Sequence, residues 1–392
     1  MAIAEVDTYV VGTPPPHKGG QNWVFVKLTA DDGTVGFGEC NWTEYRAHTL
    51  VQLIEDLEEE FIIGTDPFEI EDLRARLYRG SHFLHVPGPL HAQVVGAIEM
   101  ACWDIAGKQV GKPVYKLLGG KLNDELRSYT YLHWGWNPPE SPEKAAEVAA
   151  EYVEKGFTAL KFEPLYPQDG PRDYSLEDLE YAASVVGAVR EAVGDRCDIL
   201  VGTHGQMYTQ TAIRFAERIE KYDPLWFEEP VPPENVNEMA KVADATNIPI
   251  ATGERLLTKH QVENVLQADA AQIIQPNVGM NGILESKKIA GMCESQYAQI
   301  APWMYCGPVA GAANLQLGAC SPNFLLQEGI EQWGGFQAEI LEEPIEWKDG
   351  YVRPPTGPGL GIEVDESVLK EHAHNQLPAP GDRHHYQHHE KP

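Results

Sequence analysis

The sequence predicts an α/β protein whose larger part is a modified (β/α)8 TIM-type barrel of the form (β/α)7β. From residue 127 onward, short apolar runs rich in β-branched residues alternate with amphipathic helical segments. Strands that alternate with helices of this length are typical of parallel βα units, and eight such units close into a barrel. No clear helix follows the eighth strand. The predicted barrel strands cover residues 127–132, 157–163, 198–202, 225–229, 249–254, 271–275, 297–301 and 323–328.

The residues before and after the barrel show different patterns. VDTYVVG, NWVFVKLTA and VGFGEC alternate in the manner of a small antiparallel sheet, and long helical segments follow them. After residue 330 the strand–helix alternation ends, and hairpin and turn residues dominate. We therefore predict an α+β domain at 1–125, the barrel at 126–330, and a C-terminal segment at 331–392 that packs back on the first domain.

The charge composition excludes some classes of partner. The chain has 30 Lys and Arg against 59 Asp and Glu, a formal net charge of −29. Such a surface disfavours binding to nucleic acid and to anionic membranes. The acids are spread along helical segments, which indicates a solvated acidic surface, and a salt-rich (halophilic) habitat would explain it because salt screens the self-repulsion.

The cysteines and the N-terminus indicate a cytoplasmic location. None of the six cysteines forms a CxxC pair, so we expect buried free thiols in a reducing compartment. MAIAEVDTYVV starts directly as a strand, without the features of a secretory signal. No apolar run reaches the roughly 18 residues that a membrane span needs.

Two carboxylates end successive barrel strands. Chemistry in such barrels lies at the C-terminal ends of the strands. Glu228 and Glu254 end neighbouring strands, which lie about 4.8 Å apart in a parallel sheet, so both can bind one cation. Hard oxygen ligands with open positions suit Mg²⁺. The alternative is that cationic side chains such as Arg255 neutralise both acids.

Several motifs resemble those of one known family. WFEEPVPPEN, IPIATGER, QIIQPNVGMNGILESKKIAGM and IAPWMYCGPVAGAA follow one another in the order and spacing of the enolase superfamily, mandelate racemase subgroup. The resemblance covers nearly the whole chain and is greatest to galactonate dehydratase and related sugar-acid dehydratases. It implies an N-terminal capping domain, a homo-oligomer, a small sugar-acid substrate and a Mg²⁺ cofactor. The implied chemistry is removal of the proton α to a carboxylate, through an enediolate, and loss of the β-hydroxyl to give a 2-keto-3-deoxy acid.

The resemblance also assigns roles to individual residues. Glu228 and Glu254 match the second and third metal ligands of the family. Lys161 matches the first lysine of the motif on the second strand. His204 matches a general acid, and Glu328 matches the acid of the eighth strand that contacts the enolate oxygen.

Three positions depart from the family pattern. Gly202 replaces the aspartate that is the first metal ligand, while Asn277 and Trp303 replace the Asp–His pair that acts as general base. This pattern indicates a changed or a lost mechanism. His204 could instead be a metal ligand, and Glu163, the second member of the strand-two motif, could reach the cation or act as base. The simpler alternatives are a packed histidine and a surface acid.

Further residues are predicted to form the substrate pocket. Tyr166, in the loop after Glu163, could take part in acid–base chemistry. Trp303 could form a pocket wall that stacks on a sugar, and Arg255 could grip a carboxylate or orient the metal ligands.

Two other segments complete the predicted pocket, although plain packing and a surface turn are the alternatives for them. YLHWGWNPP places His133 and Trp136 at the end of the first strand. The loop GTPPPHKGGQ, residues 12–21 with His17, would close over the substrate.

The sequence leaves three functions open. The first is a Mg²⁺-dependent sugar-acid dehydratase, a carbon–oxygen lyase. The second is an epimerase or cycloisomerase of the same superfamily. The third is a non-catalytic homologue that only binds a sugar acid, which the residues at 202, 277 and 303 would favour.

Overall fold

An antiparallel sheet opens the N-terminal domain. The computed structural model describes residues 1–41, 47–80, 88–132, 139–165 and 173–374. Strands β1 (Ile3–Gly12), β2 (Asn22–Ala30) and β3 (Val35–Cys40) pair in sequence order. Gly33, with φ of 87°, allows the tight turn between β2 and β3.

Within the described residues, four α-helices accompany this sheet, and a short π-helical segment, Glu58–Ile62, follows the first of them. The α-helices are α1 (Ala47–Leu57), α2 (Ile70–Arg79), α3 (Pro89–Val110) and α4 (Val114–Leu117). The long helix α3 is buried around most of its circumference and packs on β3. A Cβ atom at Gly38 of β3 would collide with the carbonyl oxygen of Ala97 in α3. The glycines of VGFGEC therefore permit the close approach of this helix to the sheet.

The barrel has the eight strands that the alternation predicts. They are β4 (Leu126–Tyr131), β5 (Ala159–Phe162), β6 (Asp198–Gly202), β7 (Trp226–Glu228), β8 (Ile250–Thr252), β9 (Ile273–Ile274), β10 (Gln299–Ile300) and β11 (Gln327–Gly329). Consecutive strands β4 to β10 pair in parallel, and β11 pairs with β4. A bridge between Ile300 and Phe324 closes the remaining gap. The predicted fold class is confirmed.

In the part of the barrel that the structure describes, seven α-helices surround the strands. They are α5 (Pro142–Glu154), α6 (Leu176–Val193), α7 (Thr209–Ile219), α8 (Val236–Asp244), α9 (Lys259–Gln267), α10 (Val278–Ser295) and α11 (Pro308–Ala319). Ser175 caps α6 in a reciprocal capping box with Asp178. An apolar layer fills the barrel interior, with Tyr129 and Trp226 packed edge to face at 5.3 Å between ring centroids. Beyond this layer, polar side chains lie at the end of the interior where the strands finish.

The C-terminal segment contacts both larger units. It contains α12 (Phe336–Glu339), β12 (Trp347–Lys348), β13 (Tyr351–Val352) and α13 (Glu366–Glu371). Strand β13 pairs with barrel strand β4. The backbone amide of Gly12 in β1 donates to the carbonyl of His372, and His374 donates to Val10. The segment thus touches the N-terminal domain, and its hairpin also extends the barrel sheet.

All six cysteines are buried and unpaired, as expected. Within the described ranges, none of the helices has the length and apolar character needed to cross a membrane.

Candidate active site

A buried ion pair lies at the C-terminal end of the barrel. Lys161 of β5 extends across the interior, and its Nζ lies 2.5 Å from Glu228 Oε1 and 3.5 Å from Glu328 Oε1. Burial alone would lower the pKa of Lys161, but the two carboxylates outweigh it and raise the pKa well above its ordinary value. Lys161 therefore stays an ammonium ion and provides a fixed positive charge.

Glu228 has partners for both of its carboxylate oxygens. Gln275 Nε2 donates to Glu228 Oε2 at 2.7 Å, and Trp226 Nε1 donates to the same oxygen at 3.0 Å. Burial raises the pKa of Glu228, but the charge and hydrogen bond of Lys161 lower it more, so the pKa falls below its usual value. Sequence reasoning missed Trp226. Its position two residues before Glu228 was the available signal, because side chains two apart share one face of a strand.

Glu254 contributes a carboxylate that lacks a full set of partners. The side chains of His204, Glu228 and Glu254 each place one ligand atom within 4.8 Å of the others. Within the described part of the chain, Glu254 Oε2 is buried without a hydrogen-bond partner, which is costly unless a cation or water satisfies it. Burial, with the nearby charge of Glu228, raises the pKa of Glu254 to about 7. Two carboxylates, one imidazole and an unsatisfied oxygen fit a divalent cation.

Gly202 lies beside Lys161 and Glu163. It is not among the residues with positive φ, so the backbone does not require glycine here. A Cβ atom at this position would lie 3.6 Å from Lys161 Cε and 3.7 Å from Glu163 Cγ, at ordinary contact distance. Glu163 Oε1 in turn forms a short contact with Nδ1 of His204. Burial and the charge of Lys161 lower the pKa of His204 to about 4, so its ring is neutral at pH 7.

The positions of the expected base pair have structural contacts. Asn277 Oδ1 accepts a hydrogen bond of 2.6 Å from Asn41 Nδ2, and Asn277 Nδ2 donates to the carbonyl of Glu254 at 3.2 Å. The side chain of Trp303 is buried, and its backbone amide donates to Pro276. Sequence reasoning missed Asn41. Its place directly after β3 of the N-terminal domain gave no chemical signal.

Known proteins match this chain over almost its full length. The N-terminal domain model of mandelate racemase/muconate lactonizing enzyme matches residues 11–119, and the enolase C-terminal domain-like model matches residues 144–368. A structure from Labrenzia alexandrii, named for the mandelate racemase/muconate lactonizing enzyme group, is 46% identical with a TM-score of 0.92. That alignment covers 96% of this chain and 98% of the other.

This chain belongs to the mandelate racemase/muconate lactonizing enzyme family of the enolase superfamily. A second structure named for the same group, from Burkholderia SAR-1, is 49% identical with a TM-score of 0.91, over 95% of this chain and 94% of the other. A protein from Mesorhizobium loti that carries the name "putative dehydratase" is 32% identical, with a TM-score of 0.87, over 95% of this chain and 99% of the other.

Two further residues predicted for the site, Glu328 and Arg255, lie beside the cluster of possible cation ligands described above. Glu328 Oε2 accepts a hydrogen bond of 2.8 Å from the backbone amide of Met304, and burial raises the pKa of Glu328. Arg255 forms an ion pair with the buried Glu229, and its Nε lies 4.0 Å from Glu254 Oε1. This pairing favours the orienting role for Arg255 over a free grip on substrate.

The predicted closing loop lies against the segments that follow the last two barrel strands. Lys18 Nζ lies 2.5 Å from Glu331 Oε1, and Trp23 Nε1 donates to the carbonyl of Gly19 at 2.8 Å. The hydrogen bonds of His17 within the described residues stay inside its own loop, including 3.2 Å from Nδ1 to Thr13 Oγ1. Tyr166, His133 and Trp136, the other predicted pocket residues, lie outside the described residues.

Proposed function

We propose that this protein is a divalent-cation-dependent sugar-acid dehydratase that converts an aldonate-type acid into a 2-keto-3-deoxy acid. The observation that carries the proposal is the convergence of ionisable groups on one barrel end. These groups are Lys161, His204, Glu228, Glu254 and Glu328. The dehydratase name of the Mesorhizobium loti protein supports the same reaction class.

Glu228, Glu254 and His204 are the residues that would hold the cation, for which the family resemblance implies Mg²⁺. A bound divalent cation would supply electrostatic stabilisation for the negative charge that develops on the substrate carboxylate. The partnerless Oε2 of Glu254 supports this assignment, since coordination would satisfy it.

Lys161 and Glu163 have different roles in the proposed reaction. Lys161 is held as an ammonium ion between two carboxylates, so it would stabilise developing negative charge and would not accept a proton. Among the described residues Glu163 forms no ion pair with Lys161, and its Oε1 contacts Nδ1 of His204 at the same barrel end. We assign to Glu163 the acceptance of the proton from the α carbon of the substrate.

Loss of water completes the proposed reaction. The electron pair of the broken α C–H bond forms the new double bond, the β C–O bond breaks, and the hydroxide leaves as water after gaining a proton. The resulting enol then tautomerises to the 2-keto acid. Tyr166, predicted from the sequence for acid–base work, is the candidate donor of that proton.

The test is a screen of aldonates in D₂O with NMR detection. A dehydratase gives a 2-keto-3-deoxy product. Exchange of the α proton without loss of water would identify an epimerase or cycloisomerase instead. Neither product nor exchange, with binding retained, would identify a non-catalytic binding protein. Lys161→Met should abolish the product, whereas Lys241→Met, at a side chain 61% exposed, should not.

A further inference from the structure

The donor set at the cation site contains an imidazole where the family has a carboxylate. Gly202 ends β6 without a donor, and His204 is the side chain of this segment that joins Glu228 and Glu254 in the cluster. The site therefore offers two carboxylates and one nitrogen ligand. Glu254 is buried, and its Oε2 has no hydrogen-bond partner among the described residues, so a bound cation would satisfy it.

The contact between Glu163 and His204 is of the kind that orients a metal-binding histidine. Histidines that bind metal ions usually donate their second ring nitrogen to a carboxylate, which fixes the ring and its tautomer. Here Glu163 Oε1 contacts Nδ1 of His204 and leaves Nε2 for a ligand. The Cγ of Glu163 lies 3.7 Å from where a Cβ of residue 202 would be, at ordinary contact distance. The strand end that lacks the aspartate is thus adjacent to the carboxylate that contacts the histidine.

Nitrogen and oxygen donors differ in the cations that they favour. Mg²⁺ takes oxygen ligands and gains little from imidazole, whereas first-row transition ions bind imidazole well. Lys161 also neutralises part of the charge on Glu228, which weakens the purely electrostatic attraction that Mg²⁺ depends on. We infer that this site uses His204 as a nitrogen ligand and selects a first-row transition ion over Mg²⁺. This inference rests on the proposed cation-dependent function.

Metal binding by the full-length chain tests this inference. The background for every measurement replaces His384, His385, His388 and His389 with alanine, because histidines of GDRHHYQHHEKP bind the same ions. Calorimetry of the metal-free protein gives dissociation constants for Co²⁺ and Mg²⁺. Their ratio is the readout, since most mixed sites favour Co²⁺ to some degree.

Two variants are expected to reduce the preference for Co²⁺ over Mg²⁺. One should weaken Co²⁺ binding, and the other should tighten Mg²⁺ binding. His204→Gln should weaken Co²⁺ binding by about tenfold or more while changing Mg²⁺ binding by less than about threefold. Gly202→Asp, whose Cβ fits at ordinary contact distance, should tighten Mg²⁺ binding by about tenfold. His260→Gln, at a side chain 68% exposed on α9, is the matched control and should leave the ratio unchanged.

Spectroscopy gives the direct readout of the ligand. Pulsed EPR of the Mn²⁺-loaded protein should show coupling to a histidine nitrogen that disappears in His204→Gln. A ratio unchanged in that variant, or no nitrogen coupling in the parent protein, would overturn the inference. Absence of binding by either ion would overturn both this inference and the cation-dependent function. Nitrogen-coordinated metal without any conversion of sugar acids would contradict the proposed function alone.

Discussion

The two sides of the barrel mouth differ in what replaces the family's polar residues. On the side of β6 to β8, which we call the cation side, the aspartate is lost at Gly202. Charged and titratable groups nevertheless surround that position, with Lys161 and Glu163 beside it and His204 two residues on. On the side of β9 and β10, which we call the dyad side, Asn277 and Trp303 have replaced both members of the base pair.

The dyad side has become part of the packing between domains. Asn277 bonds to Asn41 of the N-terminal domain and to the backbone of Glu254, and Trp303 is buried. Neither side chain has an acid or a base to offer. The comparison shows that Lys161, Glu163 and His204 surround the lost residue on the cation side, whereas Asn277 on the dyad side forms structural hydrogen bonds. We therefore place the chemistry of this chain on the cation side.

The largest expected effect comes from Glu228→Gln. This change removes one cation donor and the closest partner of Lys161. We expect cation affinity to fall by about 100-fold and the free energy of unfolding to fall by about 3 kcal/mol, because a buried charge loses its partner. Calorimetric metal titration and chemical denaturation measure the two effects. Glu371→Gln, exposed on α13, is the control, and wild-type affinity in Glu228→Gln would place the cation elsewhere.

The next effect is a pH dependence of the cation side. With a pKa of about 7, Glu254 must lose its proton before it can bind a cation. Cation affinity should therefore rise by up to about tenfold per pH unit below 7 and then level off. In the metal-free protein, the free energy of unfolding depends on pH with the opposite sign. The raised pKa stabilises the fold at low pH, and this contribution is lost as pH rises from the ordinary value of 4.5 through about 7.

The variant Glu254→Gln distinguishes the titration of Glu254 from that of its neighbour Glu229. Burial also raises the pKa of Glu229 to about 7, but Glu229 is not in the donor cluster. Metal titrations between pH 5.5 and 8 should lose most of their slope in Glu254→Gln. An unchanged slope would assign the dependence to another group.

The smallest effect is expected on the dyad side. Asn277→Asp restores the family's residue type, but it replaces the donor to the Glu254 carbonyl with an acceptor. We expect a loss of about 1–3 kcal/mol in the free energy of unfolding and no gain in turnover. Chemical denaturation measures the loss, with the exposed Asn264→Asp of α9 as control. Increased turnover in Asn277→Asp would show that the dyad side still supports chemistry.

Much of the fold could be predicted because it depends on local patterns. Period-two apolar runs and the helices between them define β4 to β11, and parallel pairing of β7 with β8 places Glu228 beside Glu254. The ends of the strands were harder to place. The predicted strand at 271–275 shortens to Ile273–Ile274, although the amides of Gln272 and Gln275 still donate to the carbonyls of Ile250 and Thr252 in the neighbouring strand.

The partners of the site residues could not be predicted in the same way. The sequence offered Arg255 as one cation that could neutralise Glu228 and Glu254, as the alternative to a metal site. In the structure Lys161 pairs with Glu228, and Arg255 pairs with Glu229. Which cation meets which carboxylate depends on side-chain length and on strand positions fixed by packing. Spacing along the chain does not contain this information.

By itself, the sequence determined the barrel, the family resemblance, the strand ends that carry chemistry and the three departures at 202, 277 and 303. Only the tertiary structure decided what those departures mean. Glu163 lies beside Gly202, and Asn41 reaches Asn277 from another domain across 236 positions of sequence. The physical reason is that periodicity reports the face on which a side chain lies, whereas hydrogen bonds and ion pairs depend on distances that are set when the domains pack together.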